Sequence, residues 1–156
     1  MTIILSIDPA SNKAVKSNTG IVLIDNGKLL NHWCLPYGVD GIKKWYDEEF
    51  SKIKFDKVIF ECFEARENSK SRDNSVLETI AEIQKLIPEA EPCRNGGYKS
   101  DVPDNLLKAL GLWKFGKSHH QDIRAAARLA LFYALRNDVE DFINGVGKEL
   151  YETLQS

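Results

Sequence analysis

Apolar and polar stretches alternate along the first third of the chain and divide it into short strands. Residues 3–7 and 19–24 are nearly continuous apolar runs rich in β-branched side chains, and a third run covers 28–35. The Asn-Gly pair at 26–27 is typical of a tight turn between antiparallel strands. A continuous apolar run also favours a strand that is buried on both faces. The pattern therefore predicts a three-stranded meander.

Helical and strand-like patterns alternate along the rest of the chain. Apolar residues recur at helical spacing over 41–53, with Asp40 as the expected N-cap. Strands are predicted at 57–61 and 89–93. Further helices are predicted at 73–86, 100–110 (capped by Ser100 or Asp101), 119–135 (with a Ser118/Gln121 capping box) and 139–154 (weakened by Gly145 and Gly147). This order predicts one α/β domain over residues 1–156.

The composition is that of an ordinary globular protein, with 43% hydrophobic and 28% charged residues. No apolar run approaches the roughly 20 residues that span a bilayer, and the N-terminus lacks the features of a signal peptide. The three cysteines form no CxxC pair, which gives no support for a disulfide framework or a zinc site. A cytoplasmic protein without a membrane partner is expected.

Charge is distributed unevenly, although the formal net charge is only −2. Residues 94–136 hold eight basic and three acidic side chains, whereas the segment after them is acidic. A local basic stretch can bind phosphates even in a weakly acidic chain. A solvated mixed surface explains the charges equally well, so charge alone does not identify a nucleic-acid partner.

Three acids stand at the ends of predicted elements. Asp8 follows the first strand, Glu61 follows the fourth, and Asp122 lies in the first turn of the helix at 119–135. If the first and fourth strands are neighbours, their ends bring Asp8 and Glu61 together, and His119 lies one turn before Asp122. Carboxylates gathered in this way repel one another unless cations intervene, and oxygen ligands favour Mg²⁺ or Mn²⁺. Such a site suits phosphodiester hydrolysis with two metal ions.

Each of these residues also has a purely structural explanation. Asp8 could open a turn before the proline that follows it. Asp122 is favourable at a helix N-terminus through the helix dipole alone. Glu61 could lie exposed at the end of the sheet, and His119 and His120 could be ordinary polar residues of a helix start. Only the combination points to a metal site.

Three motifs, in this order, span nearly the whole chain and carry a family resemblance. They are Ser6-Ile7-Asp8-Pro9 with the later Thr19-Gly20, Val58-Ile59-Phe60-Glu61, and His119-His120-Gln121-Asp122 before an alanine-rich helix. The chain resembles the RuvC-type Holliday junction resolvases of the ribonuclease H-like superfamily, and more closely their small phage versions. The resemblance implies a five-stranded mixed β-sheet flanked by α-helices and a homodimer. It also implies nicking of four-way DNA junctions with two Mg²⁺ or Mn²⁺ ions per active site and no organic cofactor.

The resemblance also assigns roles to the acidic cluster. Asp8 would bridge the two metals, and Glu61 and Asp122 would be further ligands. His119 occupies a position that is usually an acid, and an imidazole ligand there would favour Mn²⁺. Whether His119 or His120 is the ligand stays open at this point.

The resemblance further suggests DNA contacts and a dimer surface. Phe63, with Tyr98 as a second candidate, would pack against opened bases, although core packing explains Phe63 equally well. Phosphate contacts are expected from Arg94, Lys99, Lys117 and Arg124. The dimer helix would present the stripe Val76, Ile80, Ile83 and Ile87, which could equally be internal core. Ala10 replaces the usual glycine after Asp-Pro, and the loop over 11–18 is longer than is typical.

The resulting hypothesis is a metal-dependent endonuclease that nicks branched DNA, such as four-way junctions, forks and flaps, in recombination or repair. It would leave 5′-phosphate and 3′-hydroxyl ends and, if phage-encoded, act in the bacterial host cytoplasm. The alternatives are an RNA-processing nuclease of the same fold and a non-catalytic branched-DNA binding module. An actin-like sugar kinase fits poorly, because that fold needs two copies of the domain.

Overall fold

The computed structural model describes residues 2–10, 18–62, 75–116 and 120–155. The strands are β1 (Ile3–Asp8), β2 (Thr19–Asp25), β3 (Lys28–Leu35), β4 (Lys57–Cys62) and β5 (Glu91–Arg94). The helices are α1 (Gly38–Glu49), α2 (Ser75–Leu86), α3 (Tyr98–Asp101), α4 (Asp104–Ala109), α5 (His120–Arg136) and α6 (Glu140–Gln155), and a 3₁₀ turn at Phe50–Lys52 follows α1. Each predicted strand is found, and the predicted helix over 100–110 is divided into α3 and α4.

The five strands form one mixed sheet in the order β3-β2-β1-β4-β5. Within it, β1 is antiparallel to β2 and parallel to β4, and β4 is parallel to β5. Helices cover both faces, so the predicted five-stranded mixed sheet flanked by helices is confirmed. The parallel pairing of β1 with β4 is the feature that matters for function, because it brings the carboxyl ends of these two strands to the same edge.

Side chains of the central strands alternate between two hydrophobic clusters. Ile4 and Ile59 pack under α5, whereas Leu5 and Phe60 pack with α1 and α2 on the opposite face. The alanines of α5 let this helix lie close to the sheet, and Ala126, Ala127, Ala130 and Ala134 are all buried. The near-continuous apolar character of β1 therefore reflects burial on both of its faces.

The isoleucine stripe of α2, together with Ile87 just after the helix, belongs to the internal core. Ile80, Ile83 and Ile87 are only 8%, 0% and 2% exposed within the single chain, and Val76 packs against the same cluster. A side chain already buried by its own chain has no surface left for a second copy. The burial of these isoleucines within the single chain favours the core alternative over the dimer interface.

Several predicted helix boundaries differ from the structure. Helix α1 begins at Gly38 after Tyr37, which adopts a left-handed backbone with φ 65°, so Asp40 lies in the first turn and is not the N-cap. The chain between α3 and α4 contains Pro103, whose imide lacks the N–H that a continuous helix needs. Neither Ser100 nor Asp101 caps this region, because both belong to α3. The proposed Ser118/Gln121 capping box involves Ser118, which lies outside the described residues.

Helix α6 runs unbroken through the two glycines that were expected to weaken it. A β-carbon at Gly145 would overlap the backbone carbonyl of Asn26 in the β2–β3 turn. Gly145 is therefore required for the close approach of α6 to this hairpin. Among the helices in the described part of the chain, none is long and apolar enough to cross a membrane.

Candidate active site

Asp8 and Glu61 lie side by side at the carboxyl ends of β1 and β4. The parallel register pairs Ile7 with Phe60, so the acid that follows each of them reaches the same edge of the sheet. Both acids alternate onto the face covered by α5, and their side chains are hydrogen-bonded to each other. Glu61 is 6% exposed and Asp8 is partly buried. The fold thus produces a close carboxyl pair from residues 53 positions apart.

Asp122 approaches this pair from the first turn of α5. Gly20 pairs with Asp8 in the antiparallel ladder, and the backbone of Asp122 lies directly against Gly20. The carboxylate of Asp122 is near enough that its charge acts on Asp8. The structure therefore brings Asp8, Glu61 and Asp122 to one region, from three elements distant in sequence.

The environment strongly disfavours the ionised form of Asp8. Burial raises the pKa of Asp8 well above its ordinary value of 3.8, and the hydrogen bond to Glu61 with the charges of Glu61 and Asp122 raises it further. A divalent cation beside Asp8 would offset this penalty, and oxygen donors of this kind are what Mg²⁺ and Mn²⁺ take.

The described residues supply only part of a metal-binding set. Within them, no group of three or more His, Cys, Asp or Glu side chains is arranged to hold a metal ion. His119, the fourth expected ligand, lies outside those residues. The Asp8–Glu61 pair therefore fits a cation by its chemistry. Of the expected ligands, these two are the ones that the described residues place side by side.

Asn95 is a site residue that the sequence did not reveal. Its side-chain amide donates a short hydrogen bond to the Oε1 atom of Glu61. Asn95 follows β5, and β5 pairs with β4 in parallel so that Cys93 lies beside Glu61. Parallel strands end at the same edge of a sheet, and this geometry places Asn95 beside the acids just as it brings the two acids together. Asn95 fixes the orientation of the Glu61 carboxyl group.

His120 is held by a structural contact. Its Nδ1 atom accepts a hydrogen bond of 2.9 Å from the backbone N–H of Phe115. In a neutral imidazole whose Nδ1 accepts, the proton is on Nε2, which then cannot bind a metal. Of the two histidines, His119 is therefore the better candidate for a ligand.

Arg124 is engaged with the loop that precedes α5. Its Nε atom donates to the carbonyl oxygen of Trp113, and its guanidinium lies 3.8 Å from the centre of the Trp113 ring. The ammonium of Lys108 lies 4.7 Å from the same ring centre. Trp113 and Lys108 were not among the predicted site residues. Together with Arg124 they form a basic and aromatic surface near the start of α5.

Of the remaining predicted DNA contacts, Arg94 at the end of β5 and Lys99 in α3 are exposed on either side of Asn95. Burial and the charges of Glu61 and Asp8 raise the pKa of the Tyr98 phenol, which places this half-buried ring near the acids. Phe63 and Lys117 lie outside the described residues.

Comparisons with known proteins support the fold. Neither a family model nor a curated protein matches the sequence. Among solved structures, Thermus thermophilus RuvC in complex with a Holliday junction substrate has a TM-score of 0.64 and 14% identity, over 90% of this chain and 98% of that chain. A second Thermus thermophilus RuvC structure has a TM-score of 0.62 and 14% identity, over 88% of this chain and 96% of that chain. The chain therefore has the fold of RuvC, a ribonuclease H-like fold.

Proposed function

We propose that the protein is a divalent-metal-dependent endonuclease that nicks branched DNA, including four-way junctions. The observation that carries the proposal is the hydrogen-bonded Asp8–Glu61 pair, with Asp122 beside it, at one edge of a RuvC-like sheet. A buried acid with a raised pKa, such as Asp8, lowers stability at neutral pH, and strongly perturbed pKa values cluster at functional sites. A crossover-junction specificity is consistent with the Holliday junction substrate of the structural neighbour.

In this proposal Asp8 would be the central ligand of two Mg²⁺ or Mn²⁺ ions, and Glu61, Asp122 and His119 would be further ligands. The metals would activate a water molecule and stabilise the leaving oxygen, which gives 5′-phosphate and 3′-hydroxyl ends. Asn95 holds the Glu61 carboxyl in a fixed orientation, and orienting contacts of this kind strengthen metal binding.

The proposed DNA path follows the basic side chains around the acidic edge. Arg94 and Lys99 would contact phosphates on one side, with Tyr98 and Phe63 available to pack against opened bases. Lys117 and the Trp113–Arg124 surface, near the start of α5, would contact the sugar-phosphate backbone of the DNA. Contacts of this type give sequence-independent binding that weakens with salt.

A homodimer is proposed because a four-way junction offers two equivalent strands for cleavage. The isoleucines of α2 face the core, so the outer side of α2 is the available surface. Leu77 lies there and is 48% exposed. The phage origin and the bacterial host cytoplasm as the location are likewise proposals, which the sequence resemblance supports.

The decisive experiment is a nicking assay on a synthetic four-way junction with Mg²⁺ or Mn²⁺, comparing wild type with Asp8→Asn. Wild type is expected to nick the junction and Asp8→Asn to be inactive, and equal cutting by both proteins would refute the assigned site. A linear duplex of the same sequence tests selectivity, since equal cutting of duplex and junction would refute structure selectivity. Forks and flaps in the same assay measure how broad the selectivity is.

Two further measurements distinguish the proposed function from an RNA-processing nuclease and from a non-catalytic binding module. Faster cleavage of a folded RNA than of any DNA substrate would indicate an RNA-processing nuclease. Tight junction binding without cleavage, and without bound metal at millimolar Mn²⁺, would indicate a non-catalytic binding module.

A further inference from the structure

Thr79 connects α2 to the segment that leaves β1 after Asp8. Its hydroxyl donates a hydrogen bond of 2.8 Å to the carbonyl oxygen of Ala10. The backbone N–H of Ala10 donates in turn to the hydroxyl oxygen of Thr19 at 3.1 Å. Both polar groups of the Ala10 backbone are therefore held by threonine side chains, one from α2 and one from β2.

These hydrogen bonds lie in the interior of the protein. Thr19 and Thr79 are both 0% exposed, and Ala10 is 5% exposed. Water does not compete for a hydrogen bond in such a place, and a buried carbonyl that loses its donor is strongly disfavoured. The position of Ala10 is thus firmly determined by the two hydroxyl groups.

Only Pro9 separates Ala10 from Asp8. The proline ring fixes its own φ near −65°, so this short connection has little freedom to absorb a displacement. Asp8 itself is also held in place, because it pairs with Gly20 in the β1–β2 ladder, and Gly20 directly follows Thr19. A shift of Ala10 is therefore transmitted to the Asp8 carboxyl group, although Thr79 itself does not touch that group in the hydrogen bonds described.

We infer that Thr79 is a positioning residue for Asp8, through which α2 sets the geometry of the Asp8–Glu61 pair. The catalytic part of this inference rests on the proposed function. Side chains that align a reacting group affect the rate strongly, since a misplacement of about 1 Å can lower it by roughly a hundredfold. Helix α2 then positions the strand that carries Asp8 through Thr79, whereas its apolar stripe packs in the core.

The test compares Thr79→Val, which keeps the shape and removes the hydroxyl, with Thr79→Ser, which keeps the hydroxyl. Ile83→Val is the matched control, because Ile83 is a fully buried residue of the same helix and makes no hydrogen bond through its side chain. The single-turnover nicking rate of Thr79→Val should fall at least about tenfold, with junction affinity in Ca²⁺ changed less than about twofold. Thr79→Ser and Ile83→Val should stay near the wild-type rate.

Three outcomes of the nicking assay would overturn the inference. Thr79→Val could lose no more activity than Ile83→Val, which would reduce Thr79 to an ordinary core residue. Thr79→Ser could lose as much as Thr79→Val, which would exclude the hydroxyl as the cause. Junction affinity could fall in parallel with the rate, which would place Thr79 in binding.

Amide hydrogen exchange provides a readout that does not depend on activity. Exchange at Ala10 should accelerate at least about tenfold in Thr79→Val and stay unchanged in Thr79→Ser and Ile83→Val. Unchanged exchange at Ala10 in Thr79→Val would overturn the inference whatever the nicking rates. An inactive wild type would count against the proposed function alone, and the exchange at Ala10 would then decide whether Thr79 holds the exit of β1.

Discussion

Gly20 lies so close to the backbone carbonyl of Asp122 that a β-carbon at Gly20 would overlap it. Gly20 is also the ladder partner of Asp8. No side chain therefore stands between the first turn of α5 and the strand pair that carries Asp8. Glycine is needed here for space, and this contact is what allows an acid on α5 to approach an acid on β1.

Gly20→Ala should push the start of α5 away from the sheet. Forcing extra atoms into a packed interior typically lowers stability by about 1–3 kcal/mol, so urea unfolding should show a loss of this order. Cleavage should fall as well, because Asp122 is displaced. Gly147→Ala is the control, since a β-carbon at Gly147 meets nothing within 4 Å. It should stabilise α6 by about 0.5–1 kcal/mol, and a similar loss in both variants would contradict the close-contact explanation.

Asp8→Asn should stabilise the protein at pH 7 in metal-free buffer. Burial, the hydrogen bond with Glu61, and the charges of Glu61 and Asp122 raise the pKa of Asp8 above its unfolded value of 3.8. The contribution of Asp8 to stability is therefore fully present below that unfolded value and is lost as the pH rises through the folded pKa. The difference in Tm between Asp8→Asn and wild type should be positive at pH 7 and shrink toward pH 4.

Thermal melts between pH 4 and pH 8 in EDTA measure this difference, and a Tm difference independent of pH would contradict the raised pKa. Adding Mn²⁺ provides a second check in the same experiment. Because a ligand stabilises the state that binds it, Mn²⁺ should raise the Tm of wild type more than that of Asp8→Asn.

Asn95→Asp should impair the site by replacing a donor with an acceptor. The amide of Asn95 donates to Glu61, whereas a carboxylate there would repel it. Loss of a contact that orients a metal ligand commonly lowers activity or metal affinity by about 10–100-fold, and we expect a drop of that size in the single-turnover rate. Asn144→Asp adds the same charge at an exposed position of α6 and should be nearly neutral. Equal losses in both variants would indicate a general charge effect on DNA binding.

The thiols of Cys34 and Cys93 should react slowly with alkylating reagents. Burial raises the pKa of each thiol to about 11, and the charge of Asp122 adds to the effect at Cys34. Since the thiolate is the reactive form, alkylation at pH 8 should be roughly a hundredfold or more slower than for a free cysteine. Asp122→Asn should accelerate alkylation at Cys34 and leave Cys93 unchanged, as measured by mass spectrometry. An equal response at both thiols would mean that Asp122 is not near Cys34.

The sheet and the meeting of Asp8 with Glu61 could be predicted because both follow from simple rules. Strands β1 and β4 are apolar runs that end on an acid, and parallel neighbours end at one edge of a sheet. Helical periodicity could not show which surface the isoleucines of α2 cover, because an apolar stripe has the same pattern in a core and in an interface. That question needs the three-dimensional positions of other elements.

Local sequence patterns also could not predict contacts between residues that are far apart in the sequence. The hydrogen bond from Asn95 to Glu61 joins residues 34 positions apart. Gly145 was interpreted as a weak point of a helix, whereas its role depends on Asn26 in a hairpin far away in sequence. Pro103 was different, because its missing N–H can be read from the sequence, although the prediction of one helix over 100–110 did not take it into account.

The change from antiparallel to parallel pairing at β1 affects the order in which the protein can fold. Strands β1, β2 and β3 pair with near neighbours in sequence, whereas β4 pairs with β1 only after a loop of some 50 residues closes. Loops of greater length are slower to close, so the meander can form before the central parallel pair. Helix α5 adds Asp122 from the last third of the chain. A growing chain on the ribosome therefore carries a hairpin long before it carries a complete acidic cluster, and cleavage would be possible only once synthesis has passed α5.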